Sequence, residues 1–141
     1  MSDVVVIGAG MSGIACARAL QAEGVPVRLI DKGRGIGGRM ATRRTAVAGK
    51  TITFDHGAQY LDRSEDAAAT AALGKGAVDA WHLGDGTSRI VGVPGMAALP
   101  RALANGLDVT LNTRVTTVRA RCGLFQIETD AGKTAASHVT V

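Results

Sequence analysis

Hydrophobic positions along this chain fall in short runs separated by glycine-rich or polar segments, and the runs predict its elements. Val4 to Ile7 is a continuous β-branched run, the pattern of a strand buried on both faces of a parallel sheet. Gly8-Ala9-Gly10-Met11-Ser12-Gly13 follows it. A helix is predicted from about Ser12 to Ala22, because Ile14, Ala15, Ala19 and Leu20 fall on neighbouring helical positions, and Gly24 supplies a stop signal. Val25 to Ile30 reads as a second buried strand with Pro26 near its start and Asp31 at its tip, which completes one strand–helix–strand unit.

Lys32 to Lys50 is rich in Gly and Arg without a sustained period and is expected to be a loop with one short helical turn. Thr51 to Phe54 is a short strand candidate. Asp62-Arg63-Ser64-Glu65 resembles a capping box opening a helix to about Leu73. Ala77 to Leu83 and Ser88 to Val91 form a hairpin pattern across Gly84-Asp85-Gly86. Met96 to Asn105 is predicted helical, with Pro100 tolerated near the first turn and Gly106 ending it. Leu107 to Leu111 is another strand. A three-stranded meander is expected across Val115–Ala120, Leu124–Thr129 and Lys133–Ala136, and His138 to Val141 begin one further strand.

At 141 residues the chain has room for one modest hydrophobic core. Hydrophobic residues make up 46% and charged residues 20%, which excludes a disordered polar chain. Aromatics are only 3%, so the core must rest on Ala, Val, Ile and Leu, and 19 glycines leave many backbone positions free of side chains. Cys16 and Cys122 make neither a disulfide framework nor a metal cluster, which suits a reducing compartment. His82 and His138 have no partners at ligand spacing, so no metal site is expected. The start of the chain lacks the pattern of a secretory signal, and no run approaches the roughly 18 apolar residues of a membrane helix. The expectation is a cytoplasmic protein without a membrane partner. The formal charge of +4 allows an anionic ligand but selects none.

Gly8, Gly10 and Gly13 form G-x-G-x-x-G between a strand and a helix, the context that gives this pattern meaning. The first glycine permits the tight turn, the second admits a pyrophosphate close to the backbone, and the third lets helix pack on strand. The helix start, with Met11 and Ser12, then turns N–H groups towards the phosphates. Asp31 lies 18 residues beyond Gly13, at a strand tip where a carboxylate accepts hydrogen bonds from an adenosine ribose. It suits NAD and FAD alike and argues against a bound 2′-phosphate. Lys32 adjoins it.

A second cluster, Arg34-Gly35-Ile36-Gly37-Gly38-Arg39-Met40-Ala41-Thr42, resembles the flavin amine oxidase superfamily, in which such a stretch lies along the FAD pyrophosphate. Gly37 and Gly38 would allow close backbone approach, and Arg39 would offer a forked cation to phosphate oxygens. Phe54-Asp55-His56-Gly57-Ala58-Gln59-Tyr60, together with Lys32–Met40 and Val93-Pro94-Gly95-Met96, looks like the bacterial renalase-like flavoproteins. The resemblance implies an α/β Rossmann-like FAD/NAD(P)-binding fold carrying a β-meander. It implies FAD, with Gly57, Ala58 and Gln59 beside the isoalloxazine ring, His56 and Tyr60 adjoining, Met40 near the pyrophosphate loop and the Val115 backbone against adenine. Neither Cys16 nor Cys122 resembles a flavin attachment site, so the FAD is expected to be non-covalent. Taken alone, His56 reads as a structural histidine and Tyr60 as a core or rim residue.

The same resemblance implies the activity. Renalases pass a hydride from off-pathway isomers of dihydronicotinamide dinucleotides to the flavin, which dioxygen then reoxidises to give peroxide. The flavin carries that chemistry, so no catalytic side chain is assigned, and none of the usual nucleophile or paired-carboxylate signatures is present. The implied partners are a small dinucleotide substrate and dioxygen.

Members of that family are considerably longer, and their C-terminal part completes the flavin site. The chain is therefore expected to be an N-terminal portion: residues 1–141 a FAD-binding domain truncated before the C-terminal part, with about 61–105 the start of a partial substrate domain. The strand from His138 would lie beside the first strand with an open outer edge, which favours self-association. A catalytically silent dinucleotide-binding fragment is the alternative, and an NAD-dependent dehydrogenase is disfavoured by the second glycine cluster. The basic cluster Lys32, Arg34, Arg39, Arg43 and Arg44 lacks the aromatics of a nucleic-acid surface. Trp81 reads as a packing anchor, with a substrate-side residue as the alternative.

Overall fold

The computed structural model describes residues 3–62, 75–136 and 138–141, which divide into two compact units. The first comprises residues 1–38 and 104–141 and the second residues 39–103. The helix expected after Asp62 lies outside the described residues.

The first unit is built on a four-stranded parallel sheet. Strand β1 (Val4–Ile7) leads through the glycine loop into α1 (Met11–Ala22) and back to β2 (Val27–Ile30). The sheet has the order β11-β1-β2-β7, where β7 is Asp108–Thr110 and β11 is His138–Thr140. The strand from His138 does lie beside β1, with Val5 opposite Val139. The alternation of β1 explains the layers. Val6 faces α1, where a Cβ added to Gly13 would come within 3.3 Å of its side chain. Val5, on the other face, packs in a cluster with Ile30, Ile127 and Ala136, flanked by Ile7, Val115 and Val139.

Ile127 and Ala136 belong to the meander of β8 (Val115–Arg121), β9 (Leu124–Thr129) and β10 (Gly132–Ala136). The first unit is thus a helix layer, a parallel sheet and an antiparallel meander, with Arg28 of β2 donating to Thr134 Oγ1 of β10 at 2.7 Å. The fold is mixed α/β and Rossmann-like, as the sequence predicts.

The second unit holds two hairpins and a short helix. Strands β3 (Thr42–Val47) and β4 (Lys50–Asp55) pair in antiparallel register with Arg44 opposite Thr53. The loop expected over Lys32–Lys50 is corrected here: only its first part is irregular, with a 3₁₀ turn at Gly38–Met40, and Thr42–Val47 is a strand. The hairpin turns at Ala48 and Gly49, whose φ values of 48° and 75° fit a two-residue turn that follows the strand twist. Ala48 is not among the residues that favour this geometry, so the turn signal is weak in the sequence.

Strands β5 (Val78–His82) and β6 (Ser88–Gly92) form the second hairpin. In its turn the Thr87 hydroxyl and backbone N–H both donate to Asp85 and hold its carboxyl below the usual carboxylate range. Helix α2 (Ala98–Leu103) is shorter than the predicted span, because residues from Gly92 to Ala97 are committed to a tight approach instead. A Cβ on Gly92 would stand 2.4 Å from the Gly95 carbonyl oxygen, so only glycine fits there. Met40, Met96, Leu99 and Leu103 are buried.

Candidate functional site

Ten of the residues singled out by sequence fall in the first unit: Gly8, Gly10, Met11, Ser12, Gly13, Asp31, Lys32, Gly37, Gly38 and Val115. The glycine loop has the division of labour that its spacing implies. Gly8 sits at φ 110°, in the left-handed half of backbone space that favours glycine, and its N–H donates to the Ile30 carbonyl at 2.8 Å. A Cβ on Gly13 would lie 2.0 Å from the Gly8 carbonyl oxygen, so the helix can approach the strand only without one. A Cβ on Gly10 would meet nothing within 4 Å. The absence of a side chain at Gly10 is therefore not demanded by the protein's own packing. It leaves open space at the start of α1, with Met11 and Ser12 in the first turn.

The second glycine cluster joins the first. Gly10 and Gly37 form a parallel bridge, the Gly37 N–H donates to the Ala9 carbonyl at 3.0 Å, and a Cβ on Gly38 would stand 3.2 Å from the Gly10 Cα. Two segments separated by a whole βαβ turn thus present one glycine-lined surface.

Asp31 has a role the sequence does not announce. Its Oδ2 accepts the Ala9 N–H at 2.6 Å and its Oδ1 accepts the Gly33 N–H at 2.5 Å. Both are charge-assisted bonds that tie the strand tip to the glycine loop, and each oxygen keeps a further lone pair for a ligand. The Asp31 backbone in turn donates to Thr110 at 2.8 Å and accepts from Thr113 at 3.0 Å. That lacing brings the start of β8 to the tip of β2. The result is a cavity of about 320 Å³ lined by Gly8, Asp31, Lys32, Arg114 and Val115 over a floor of Ile7 and Ile30. The volume falls at the lower end of the roughly 300–1,000 Å³ of small-molecule sites. Thr113 and Arg114 were missed by sequence reasoning; the only signal available was their place immediately before Val115.

These features fit the adenosine and pyrophosphate portion of a dinucleotide. An apolar floor suits a purine, Asp31 suits ribose hydroxyls, and the paired glycines with the start of α1 suit phosphates.

The remaining seven, Arg39, Met40, His56, Gly57, Ala58, Gln59 and Tyr60, fall in the second unit. The Ala58 N–H donates to the Arg39 carbonyl at 2.9 Å, and a Cβ on Gly57 would stand 2.0 Å from that same oxygen. Gly57 therefore answers to a backbone crossing. Met40 is buried and His56, Gln59 and Tyr60 are exposed. Tyr60 lies 6.4 Å from Trp81 between ring centroids, with the Arg89 guanidinium 5.4 Å above the Tyr60 ring. Trp81 is 49% exposed, which corrects the reading of it as a packing anchor. Asp55, within the same motif, accepts the Thr42 hydroxyl at 2.5 Å and the Met96 N–H at 3.1 Å. The Val93-Pro94-Gly95-Met96 motif is thereby explained as structure.

No helix among the described residues is long and apolar enough to cross a membrane.

Fold and site together define a Rossmann-like domain of mixed α/β type. Residues 6–74 match the family model of the NAD(P)-binding Rossmann-like domain. Among solved structures, a putrescine oxidase bound to putrescine superposes with a TM-score of 0.68 at 16% identity, covering 98% of this chain and 57% of that one. OTEMO in complex with FAD and NADP gives a TM-score of 0.64 at 25% identity, covering 98% of this chain and 24% of that one. A Diels-Alderase of pyrroindomycin biosynthesis gives 0.68 at 14% identity, covering 99% and 32%. The chain thus spans little more than half of the putrescine oxidase and about a quarter of OTEMO.

Proposed function

We propose that the chain binds FAD non-covalently and belongs to an oxidoreductase of renalase type, which oxidises isomers of dihydronicotinamide dinucleotides. The observation that carries the FAD reading is the joining of the two glycine segments, Gly10 to Gly37, beside the Asp31 cavity. A single glycine loop would serve NAD equally well. A second glycine segment laid against it supports a longer pyrophosphate cradle of the kind that the flavin amine oxidase resemblance implies.

In this reading Gly8, Gly10, Gly37 and Gly38 keep side chains away from the pyrophosphate, and the start of α1 turns its N–H groups to it. Asp31 would take the ribose hydroxyls on its remaining lone pairs, and Val115 with Ile7 and Ile30 would enclose the adenine. Arg39, His56, Gly57, Ala58, Gln59 and Tyr60 would serve the flavin end. FAD supplies a two-electron acceptor that dioxygen can reoxidise to peroxide, so the chain's own task is to hold and orient.

The reading is tested by the visible spectrum of the purified chain and by chromatography of what acid releases. A two-banded flavin spectrum with FAD released is expected. A colourless chain that also takes up no added FAD refutes it. With flavin bound, peroxide release from dihydronicotinamide isomers and from putrescine separates renalase-type from amine oxidase activity. A second reading is a catalytically silent dinucleotide-binding chain, for which the Asp31 cavity and the joined glycine segments need only hold a nucleotide. It predicts FAD uptake without peroxide from either substrate.

A further inference from the structure

Within the second unit, one face of the β3–β4 hairpin carries chemistry that the dinucleotide reading does not use. Arg44 and Thr53 stand directly opposite one another across the strand pair, and Thr42 and Asp55 follow two residues along on the same face. The segment that opens α2 lies against this face, with Ala98 and Arg101 one helical turn apart. Together they line a cavity of about 60 Å³ that includes Thr42, Arg44, Thr53, Ala97, Ala98 and Arg101.

Two arginine side chains thus line one small cavity. Neither Arg44 nor Arg101 forms an ion pair with a described residue; the ion pairs found there are Arg28–Asp3, Arg89–Asp62 and Lys133–Glu128. The carboxylate on this face, Asp55, is already engaged by the Thr42 hydroxyl and the Met96 N–H. The backbone donors are engaged as well: Ala97 N–H goes to Thr42 Oγ1 at 3.2 Å and Ala98 N–H to the Gly95 carbonyl at 2.9 Å. What the cavity lining still offers is Arg44 and Arg101, together with Thr53. Like charges sharing a cavity repel, and an anion between them removes that cost. The volume has room for several water-sized groups, which is what a tetrahedral oxyanion presents. A guanidinium fork matches carboxylate and phosphate oxygens alike, but a phosphoryl group carries up to two charges and three terminal oxygens, enough to meet two arginines at once.

We propose that the cavity between the β3–β4 hairpin and the start of α2 binds a phosphate-type oxyanion, held by Arg44 and Arg101. It shares no residue with the sites assigned to the dinucleotide and stands whether or not that reading does.

The test is titration of the full chain with inorganic phosphate and with glycerol 2-phosphate at constant ionic strength, followed by calorimetry. Saturable binding is expected, weakened about tenfold or more in Arg44→Gln and in Arg101→Gln and partly restored in Arg44→Lys. Arg43→Gln is the charge-matched control, because Arg43 pairs with Phe54 on the opposite face, and it should bind as the parent does. Binding of both probes identifies a terminal phosphoryl group as the ligand; binding of inorganic phosphate alone identifies the free ion. Absence of saturable binding overturns the proposal, as does an equal loss in Arg43→Gln. A signal that survives both arginine variants and vanishes in Gly10→Val belongs to the glycine loops and also overturns it. Circular dichroism of each variant confirms that these exposed side chains are not needed for folding.

Discussion

Gly10 and Gly37 face each other as a parallel bridge pair, so two loops far apart in the chain share one backbone surface. The glycine-lined surface beside the Asp31 cavity depends on this pairing being free of side chains.

Gly10→Val and Gly13→Ala should separate binding from folding. A Cβ at Gly10 meets nothing within 4 Å, so Gly10→Val should cost at most about 1 kcal/mol, mainly from its poorer fit as a helix N-cap, while abolishing FAD uptake. Gly13→Ala places a methyl 2.0 Å from the Gly8 carbonyl oxygen and should cost about 1–3 kcal/mol or more in denaturant unfolding. Equal stability losses in the two variants would contradict this division.

Asp31→Ala should weaken adenosine nucleotides and loosen the loop at once. Losing one charged hydrogen bond to the ribose costs roughly 1.5–3 kcal/mol, about ten- to a hundredfold in affinity. The Ala9 and Gly33 amides lose their acceptor, so hydrogen exchange at both should accelerate even without ligand. Unchanged exchange would mean that Asp31 does not organise the loop.

Asp55→Ala removes the acceptor for the Thr42 hydroxyl and for the Met96 N–H, whose residue is buried. A destabilisation of roughly 2–3 kcal/mol is expected from stranding these donors. Thr42→Val, which strands only the Ala97 N–H, should cost about half as much. Thermal unfolding of the two variants against the parent measures both.

Ala48→Gly should stabilise the β3–β4 hairpin. Ala48 holds φ at 48°, where an L side chain costs roughly 1–2 kcal/mol, and glycine removes that penalty against its greater freedom in the unfolded chain. A net gain of about 0.5–1 kcal/mol in chemical denaturation is expected. A loss would show that the turn is not strained.

The βαβ unit was legible because its signals are local. A β-branched run, three glycines, a helical period and an acid at a strand tip all occur within thirty-one residues and agree. The meander and the β5–β6 hairpin were legible for the same reason. Thr42–Val47 was not, because Arg43 and Arg44 break the apolar alternation and the Ala48-Gly49 turn is not a strong hairpin dipeptide. Nor was the double engagement of Asp31, which exists only once β2 and the glycine loop have met. Trp81 misled because a lone tryptophan in an aromatic-poor chain looks like core, whereas it stands half exposed beside Tyr60. The Arg44–Arg101 cavity is invisible in the sequence, since its halves meet only when the hairpin receives α2.

Ile7, Ile30 and Val115 are at once the wall of the Asp31 cavity and members or neighbours of the Val5–Ile127 cluster. The cavity therefore inherits the stiffness of the core and cannot adjust to a misshapen guest without disturbing how the meander seats on the sheet. A conservative trim far from any ligand, such as Ile127→Val, should be felt as a change in which ring the cavity accepts. Any ligand held there acts in return as a rivet through the sheet.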